Sequence, residues 1–133
     1  MTKDDLVELF NTHDMRLTRP RLAVAELLLL DGVNKHVSAE WVASELEKLD
    51  VKISLASVYN TLNSFVEIEL LREIEVGGSR VVFDTNTTQH HHFLKVSTGE
   101  LIDIDEGQVE ISKLPTPPEG LKIKRCDLIV QID

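Results

Sequence analysis

The spacing of hydrophobic residues changes from helical to extended near Phe83, and this change is the strongest constraint on the fold. Before it, apolar residues recur at the spacing of amphipathic helices, and residues that favour helix starts precede three of the segments: Thr18, Ser38 and Ser54. After it, apolar and polar residues alternate as in strands. The pattern predicts an α+β fold, and 133 residues are enough to bury a core.

A glycine pair predicts a β-hairpin directly after the last helix. The segments 71–76 and 80–83 flank Gly77 and Gly78, which supply the positive φ angles of a tight turn. Helices followed by such a hairpin are typical of a winged helix-turn-helix. We therefore expect a DNA-binding domain over residues 1–84, a polar linker over 85–91 and a second domain over 92–133.

The second domain is too small to hold a core of its own. Its pattern predicts strands at 92–96, 100–104 and 121–132, with a short helix at 108–114 that ends at Pro115. Segments this short need a partner to bury their apolar faces. We expect an α/β dimerisation domain, completed by a second copy in a homodimer.

The charge balance and the single cysteine exclude several classes of protein. The chain has 14 basic and 23 acidic residues, net charge −9, which argues against binding nucleic acid through bulk charge. One cysteine permits no internal disulfide, and no apolar run could span a bilayer. We expect a cytoplasmic protein without membrane contact. Three arginines, however, form a compact basic cluster: Arg16, Arg19 and Arg21.

The fourth predicted helix has an unusual outer face. It is polar but almost uncharged, with Tyr59 beside four small polar residues: Ser57, Asn60, Thr61 and Ser64. Such a face suits a recognition helix in the major groove, where side chains must approach base edges without charge repulsion. An ordinary solvent-exposed face remains the alternative.

Three consecutive histidines follow the predicted linker. In an extended segment, His90 and His92 lie on one side and His91 on the other, so the run can serve two sites. Imidazole is a common ligand of transition metals and haem iron, and carboxylates are nearby at Asp84, Asp103, Asp105 and Glu110. A solvated linker is the alternative for the histidines. Cys126 fits a buried small side chain better than a ligand.

Three motifs together resemble the Fur family of metal-responsive transcriptional regulators. They are residues 36–40 (HVSAE), residues 54–62 (SLASVYNTL), and the three histidines followed by residues 98–100 (TGE) and Asp103. Residues 83–86 (FDTN) and 117–120 (PPEG) resemble the iron response regulator branch of that family. The resemblance covers nearly the whole chain.

The resemblance implies a homodimer that binds inverted-repeat operators in double-stranded DNA. Tyr59 matches the position that contacts thymine-containing base edges, and Asn60 replaces an arginine usual in Fur itself. Arg16 matches a basic residue that enters the minor groove, and Arg19 and Arg21 become candidate phosphate or groove contacts. Ser57, on the same polar face, completes the candidate DNA-binding set.

The resemblance also implies a regulatory metal site for Fe²⁺, Mn²⁺ or Zn²⁺. It maps onto five residues: His36, Asp84, His90, His92 and Asp103. A second family site is degraded, because Gln89 and Cys126 stand where histidine is usual, which leaves His91 and Glu110. Lys95 and Thr98 replace a cysteine pair, so the structural zinc site is absent.

The iron response regulator branch further implies haem binding at His90, His91 and His92, with haem weakening operator binding. The alternative is a Fur-type repressor activated by Fe²⁺ or Mn²⁺ with no haem response. Two other classes are alternatives: a small metalloenzyme, for which the sequence offers no second catalytic constellation, and a protein-binding winged helix. We expect a regulator of iron or haem homeostasis and not an enzyme.

Overall fold

A computed structural model describes all of residues 1–133. It has four helices and six short strands, which agrees with the α+β prediction. In chain order they are α1 (Lys3–Thr12), α2 (Arg19–Leu29), β1 (His36–Val37), α3 (Ala39–Lys48), α4 (Leu55–Glu67), β2 (Arg72–Gly77), β3 (Arg80–Asp84), β4 (His92–Lys95), β5 (Glu100–Asp103) and β6 (Ile129–Ile132). The chain forms two compact units, Met1–Thr87 and Thr88–Asp133.

Side-chain caps begin all four helices of the first unit. The hydroxyls of Thr18, Ser38 and Ser54 each accept a hydrogen bond from the backbone N–H three residues later, as their positions in the sequence predict. Thr2 does the same for α1 and forms a capping box with Asp5. That network, with the Thr2 backbone N–H as its main contributor, lowers the pKa of Asp5.

The core of the first unit lies between the helices. Phe10 and Phe65 are fully buried, and their ring centroids lie 5.8 Å apart, which joins α1 to α4. A three-stranded antiparallel sheet of order β1-β3-β2 completes the unit. Gly77 and Gly78 turn the β2–β3 hairpin with φ angles of +113° and +60°, as the glycine pair predicts.

The second unit is built on a three-stranded mixed sheet. Its order is β5-β4-β6, with β4 antiparallel to β5 and parallel to β6. Leu94, Leu101 and Ile104 are its buried apolar residues. β4 and β5 thus lie where the alternating pattern predicts strands.

Two predictions for the second unit are wrong. The helix expected at 108–114 does not form, and residues 104–128 contain only turns and irregular backbone. Gly107, at a φ of +90°, sends the chain into a turn just where that helix would begin. The last strand covers only Ile129–Ile132, because β4 offers four residues for pairing. Cys126 therefore lies outside the strand and is half-buried.

None of the helices combines the length and the apolar character needed to cross a bilayer.

Candidate metal centre and nucleic-acid interface

Strand pairing in the first unit places a histidine beside a buried carboxylate. His36 of β1 is the register partner of Asp84 of β3, and its Nε2 atom lies 3.1 Å from Asp84 Oδ2. Asp84 is fully buried, and its other oxygen accepts the backbone N–H of Asn86 at 2.8 Å. A buried carboxylate is costly unless protons or cations face it, so this pair is a ready position for a positive charge.

The second unit contains a three-residue cluster of the same donor types, which we call the β4 cluster: His90, His92 and Asp103. Asp103 Oδ1 lies 3.3 Å from His90 Nε2 and 3.2 Å from His92 Nε2. The imidazole rings are 4.4 Å apart, and the three ligand atoms lie within 4.8 Å of one another. His92 is only 1% exposed. Two imidazoles and a carboxylate at these distances are a donor set for a first-row divalent metal.

The backbone explains why these three side chains converge. His92 and Asp103 are register partners in the β4–β5 pair, so their side chains lie on the same face of the sheet. His90 is two residues earlier in an extended segment and lies on that side too. Its Nδ1 atom donates to the Thr88 carbonyl at 2.7 Å, which orients the ring so that Nε2 faces Asp103.

His91 is directed elsewhere, as period-two alternation predicts. Its Nδ1 atom accepts the backbone N–H of Leu128 at 3.0 Å, and Gln89 donates to the Cys126 carbonyl at 2.8 Å. Glu110 is exposed, and no group of three or more His, Cys or acidic ligand atoms includes it or His91. The second site at His91 and Glu110 stays a prediction.

The three histidines therefore do not face one shared ligand. His92 is buried toward Asp103, whereas the ring of His91 is bonded to Leu128. A haem bound by all three would need the buried His92 to leave the β4 cluster. This geometry does not favour the haem site expected from the sequence.

The outer face of α4 differs partly from its sequence prediction. Asn60 is exposed and Tyr59 is 36% exposed, but Thr61 is buried and its hydroxyl donates to the Ser57 carbonyl. Ser57 is half-buried, and the Ser54 hydroxyl donates to its oxygen at 2.9 Å. Thr61 therefore belongs to the core side of the helix.

The Tyr59 hydroxyl donates a hydrogen bond to Glu40 Oε1 at 3.0 Å, a contact that sequence reasoning missed. This hydrogen bond, with smaller contributions from burial and from the carboxylate charge, raises the pKa of Tyr59. The two residues are 19 positions apart, so no local sequence signal links them.

The arginine cluster precedes and begins α2. Arg16 and Arg19 are exposed, whereas Arg21 is half-buried and its Nη1 atom donates to the Arg16 carbonyl at 2.8 Å. Arg21 thus holds the loop that presents Arg16. Arg16 and Arg19 offer the more accessible charges.

Known proteins share this fold and sequence pattern. The sequence model of the Ferric uptake regulator family matches residues 12–131 of this chain. The chain therefore belongs to that family. The Ferric uptake regulation protein of Vibrio cholerae serotype O1 is 32% identical over 97 residues, which are 72% of this chain and 64% of that protein. The protein of that description from Escherichia coli K12 is 31% identical over 97 residues, 72% of this chain and 65% of that one. The chain thus spans slightly less than two thirds of these relatives.

Solved structures agree on the fold. The ferric uptake regulator of Pseudomonas aeruginosa with manganese superposes with a TM-score of 0.73 at 22% identity, over 99% of this chain and 97% of that one. A structure described as a zinc-bound manganese uptake regulator gives 0.63 at 24% identity, over 96% and 98% of the two chains. Members of the Ferric uptake regulator family are transcription regulators and not enzymes.

Proposed function

We propose that the chain is a DNA-binding transcription regulator of iron homeostasis whose operator affinity rises when a divalent metal binds. The β4 cluster is the observation that carries this proposal, because it provides a preformed donor set in a chain of the Ferric uptake regulator family. Fe²⁺ and Mn²⁺ are the leading candidates, and Zn²⁺ suits the same ligands. The names of the similar proteins mention iron, manganese and zinc, which supports this choice.

The proposed regulatory site combines both groups of ligands on one ion. His36 and Asp84 would supply one group, and His90, His92 and Asp103 the other. Residues 85–89 alone separate Asp84 from His90 in the sequence, and the proposal is that one ion takes ligands from both groups. An ion held by both groups would restrict the motion of one unit against the other and so favour one arrangement for DNA binding.

DNA binding is assigned to residues 1–84, which we interpret as a winged helix with α4 as the recognition helix and the β2–β3 hairpin as the wing. Tyr59, Asn60 and Ser57 are the candidate base contacts. Arg16 and Arg19 are candidate phosphate or minor-groove contacts, and Arg21 supports them. Residues 92–133 would form the homodimer, whose symmetry matches an inverted-repeat operator.

The metal-responsive form is preferred to the haem-responsive one. The separation of His91 from the β4 cluster and the burial of His92 both favour a small ion over a large planar ligand. Placement in the iron response regulator branch is therefore a secondary proposal, supported by the residue strings FDTN and PPEG.

The test begins by selecting a bound duplex from a randomised DNA pool with the full chain and Mn²⁺. Binding of that duplex is then measured by fluorescence anisotropy at fixed salt, with protein alone, with Mn²⁺ and with haem. We expect Mn²⁺ to tighten binding at least about tenfold, a coupling of the usual allosteric size. Failure to enrich any duplex would contradict DNA recognition. Mn²⁺-independent binding that haem abolishes would favour the haem-responsive alternative.

A further inference from the structure

The contact between Glu40 and Tyr59 joins two helices at the surface assigned to DNA. Glu40 is the second residue of α3, and Tyr59 is the fifth residue of α4. Both side chains are exposed, yet they meet in a 3.0 Å hydrogen bond. An exposed side-chain pair adds little to stability, so stability alone does not account for placing an acidic residue beside the recognition face.

The direction of this hydrogen bond limits what Tyr59 can offer to a base. An ionised carboxylate only accepts hydrogen bonds, so the tyrosine hydroxyl must donate its proton to Glu40. That proton is then not free for the thymine O4 or purine N7 acceptors of the major groove. The ring remains accessible, and its apolar surface can contact the methyl group of thymine.

The local backbone fixes the position of Glu40. The Ser38 hydroxyl caps α3 by accepting the Trp41 N–H at 3.1 Å, and the preceding His36–Val37 strand pairs with β3. Glu40 therefore lies in the first turn of a helix whose start is anchored by a cap and by a paired strand. Because its backbone is fixed, only its side-chain torsions need to be ordered when it binds the Tyr59 hydroxyl.

We propose that Glu40 is a positioning residue for base recognition: it binds the Tyr59 hydroxyl and so restricts the Tyr59 ring to apolar contact with a thymine methyl group. The inference rests on the proposed DNA-binding function. A carboxylate at this surface weakens the attraction to DNA phosphates, which is the same for every sequence. A larger share of the binding free energy then comes from base contacts, and selectivity between sequences rises.

The probe is the duplex selected above, with each thymine replaced in turn by deoxyuridine, which lacks only the methyl group. At the position contacted by Tyr59, we expect deoxyuridine to lower the affinity of the wild-type chain about fourfold, because the burial of one methyl-sized group stabilises a complex by roughly that factor. Tyr59→Ala should abolish the loss at that position and so identify it.

Five variants then test the role of Glu40, the fifth as a control, all with Mn²⁺ present. The measured quantity is the affinity for the thymine duplex divided by the affinity for the duplex with deoxyuridine at the Tyr59 position, the thymine-to-uracil ratio. Glu40→Ala and Tyr59→Phe should each bring this ratio close to one, and the double variant should change it no further. Glu40→Gln should retain the ratio, because its amide oxygen still accepts the hydroxyl. Glu47→Ala removes an exposed carboxylate from the same helix and should raise affinity for all duplexes without changing the ratio.

Three results would overturn the inference. The first is an unchanged thymine-to-uracil affinity ratio in Glu40→Ala, and the second is an equal loss of that ratio in Glu40→Gln and Glu40→Ala. The third is wild-type binding that is insensitive to deoxyuridine at every position. These outcomes differ from failure of the proposed function, in which no duplex would be selected at all.

Discussion

His92 and Asp103 are register partners across the β4–β5 pair, and their side chains meet at 3.2 Å between Nε2 and Oδ1. The imidazole is 1% exposed, whereas the aspartate side chain is 39% exposed. The pairing of β4 with β5 thus holds one candidate ligand, His92, inside the unit and the other, Asp103, at its surface. An ion would reach the buried nitrogen from the side of Asp103.

Replacement of Asp103 by asparagine should weaken Mn²⁺ binding at least about tenfold. The amide keeps the shape of the side chain but removes the charge, and even residues outside the coordination shell commonly contribute this much. Isothermal titration with Mn²⁺ on the full chain would measure the change. Asp105→Asn, two residues further along and outside the cluster, is the matched control, and an equal loss there would refute a specific role for Asp103.

His90 and His91 are neighbours in sequence with opposite expected effects. His90→Ala removes a ligand atom that faces Asp103, so Mn²⁺ affinity should fall at least about tenfold. His91→Ala removes only the acceptor of the Leu128 N–H, so Mn²⁺ affinity should stay within about twofold. Isothermal titration of each variant with Mn²⁺ measures the two affinities and tests both predictions. Equal losses would indicate that all three histidines share one ligand.

Local signals predict the helices and the direction of the histidines. The hydroxyls of Thr18, Ser38 and Ser54 define helix starts because each satisfies backbone donors within three residues. The alternation of His90, His91 and His92 follows from strand geometry alone. Both features depend on neighbours in sequence, which is why the sequence suffices to predict them.

Three kinds of feature are not predictable in this way: where a helix stops, whether a polar side chain is buried, and which residues meet across distant parts of the sequence. Leu49 matches the apolar spacing of α3, but the helix ends at Lys48 and Leu49 is 63% exposed. Thr61 has a polar side chain, yet its hydroxyl bonds within the helix and can be buried. The contact between Glu40 and Tyr59 depends on the packing of α3 on α4. No residue pattern indicates it.

Tyr59 is the only tyrosine of the chain, so its ionisation can be followed directly by near-ultraviolet absorbance. The neutral phenol donates to Glu40, whereas the phenolate would lose that bond and face a negative charge, so the pKa of Tyr59 lies above its usual value. In Glu40→Gln the pKa should fall because the charge is lost, and in Glu40→Ala it should fall further because the acceptor is lost. A pKa that is the same in all three proteins would show that the contact is absent in solution.

Phe65 anchors α4 to the core, so its truncation should strongly destabilise the first unit. The side chain is fully buried, and its ring is 5.8 Å from that of Phe10. Phe65→Ala should lower the free energy of unfolding by about 3–5 kcal/mol, the usual range for loss of a buried aromatic ring. Urea denaturation followed by the fluorescence of Trp41, the only tryptophan, measures the change.

The matched control is Asn63→Ala, an exposed position on the same helix, where the change should stay within about 0.5 kcal/mol. If Phe65→Ala lowers the free energy of unfolding by less than about 1 kcal/mol, α4 does not depend on the Phe10–Phe65 pair for its position. Phe65 and Tyr59 share one helix, but Phe65 is fully buried whereas Tyr59 is exposed. Phe65→Ala should therefore lower both stability and DNA binding, whereas Tyr59→Ala should weaken DNA binding with little change in stability. This difference separates the packing role of α4 from its proposed role in recognition.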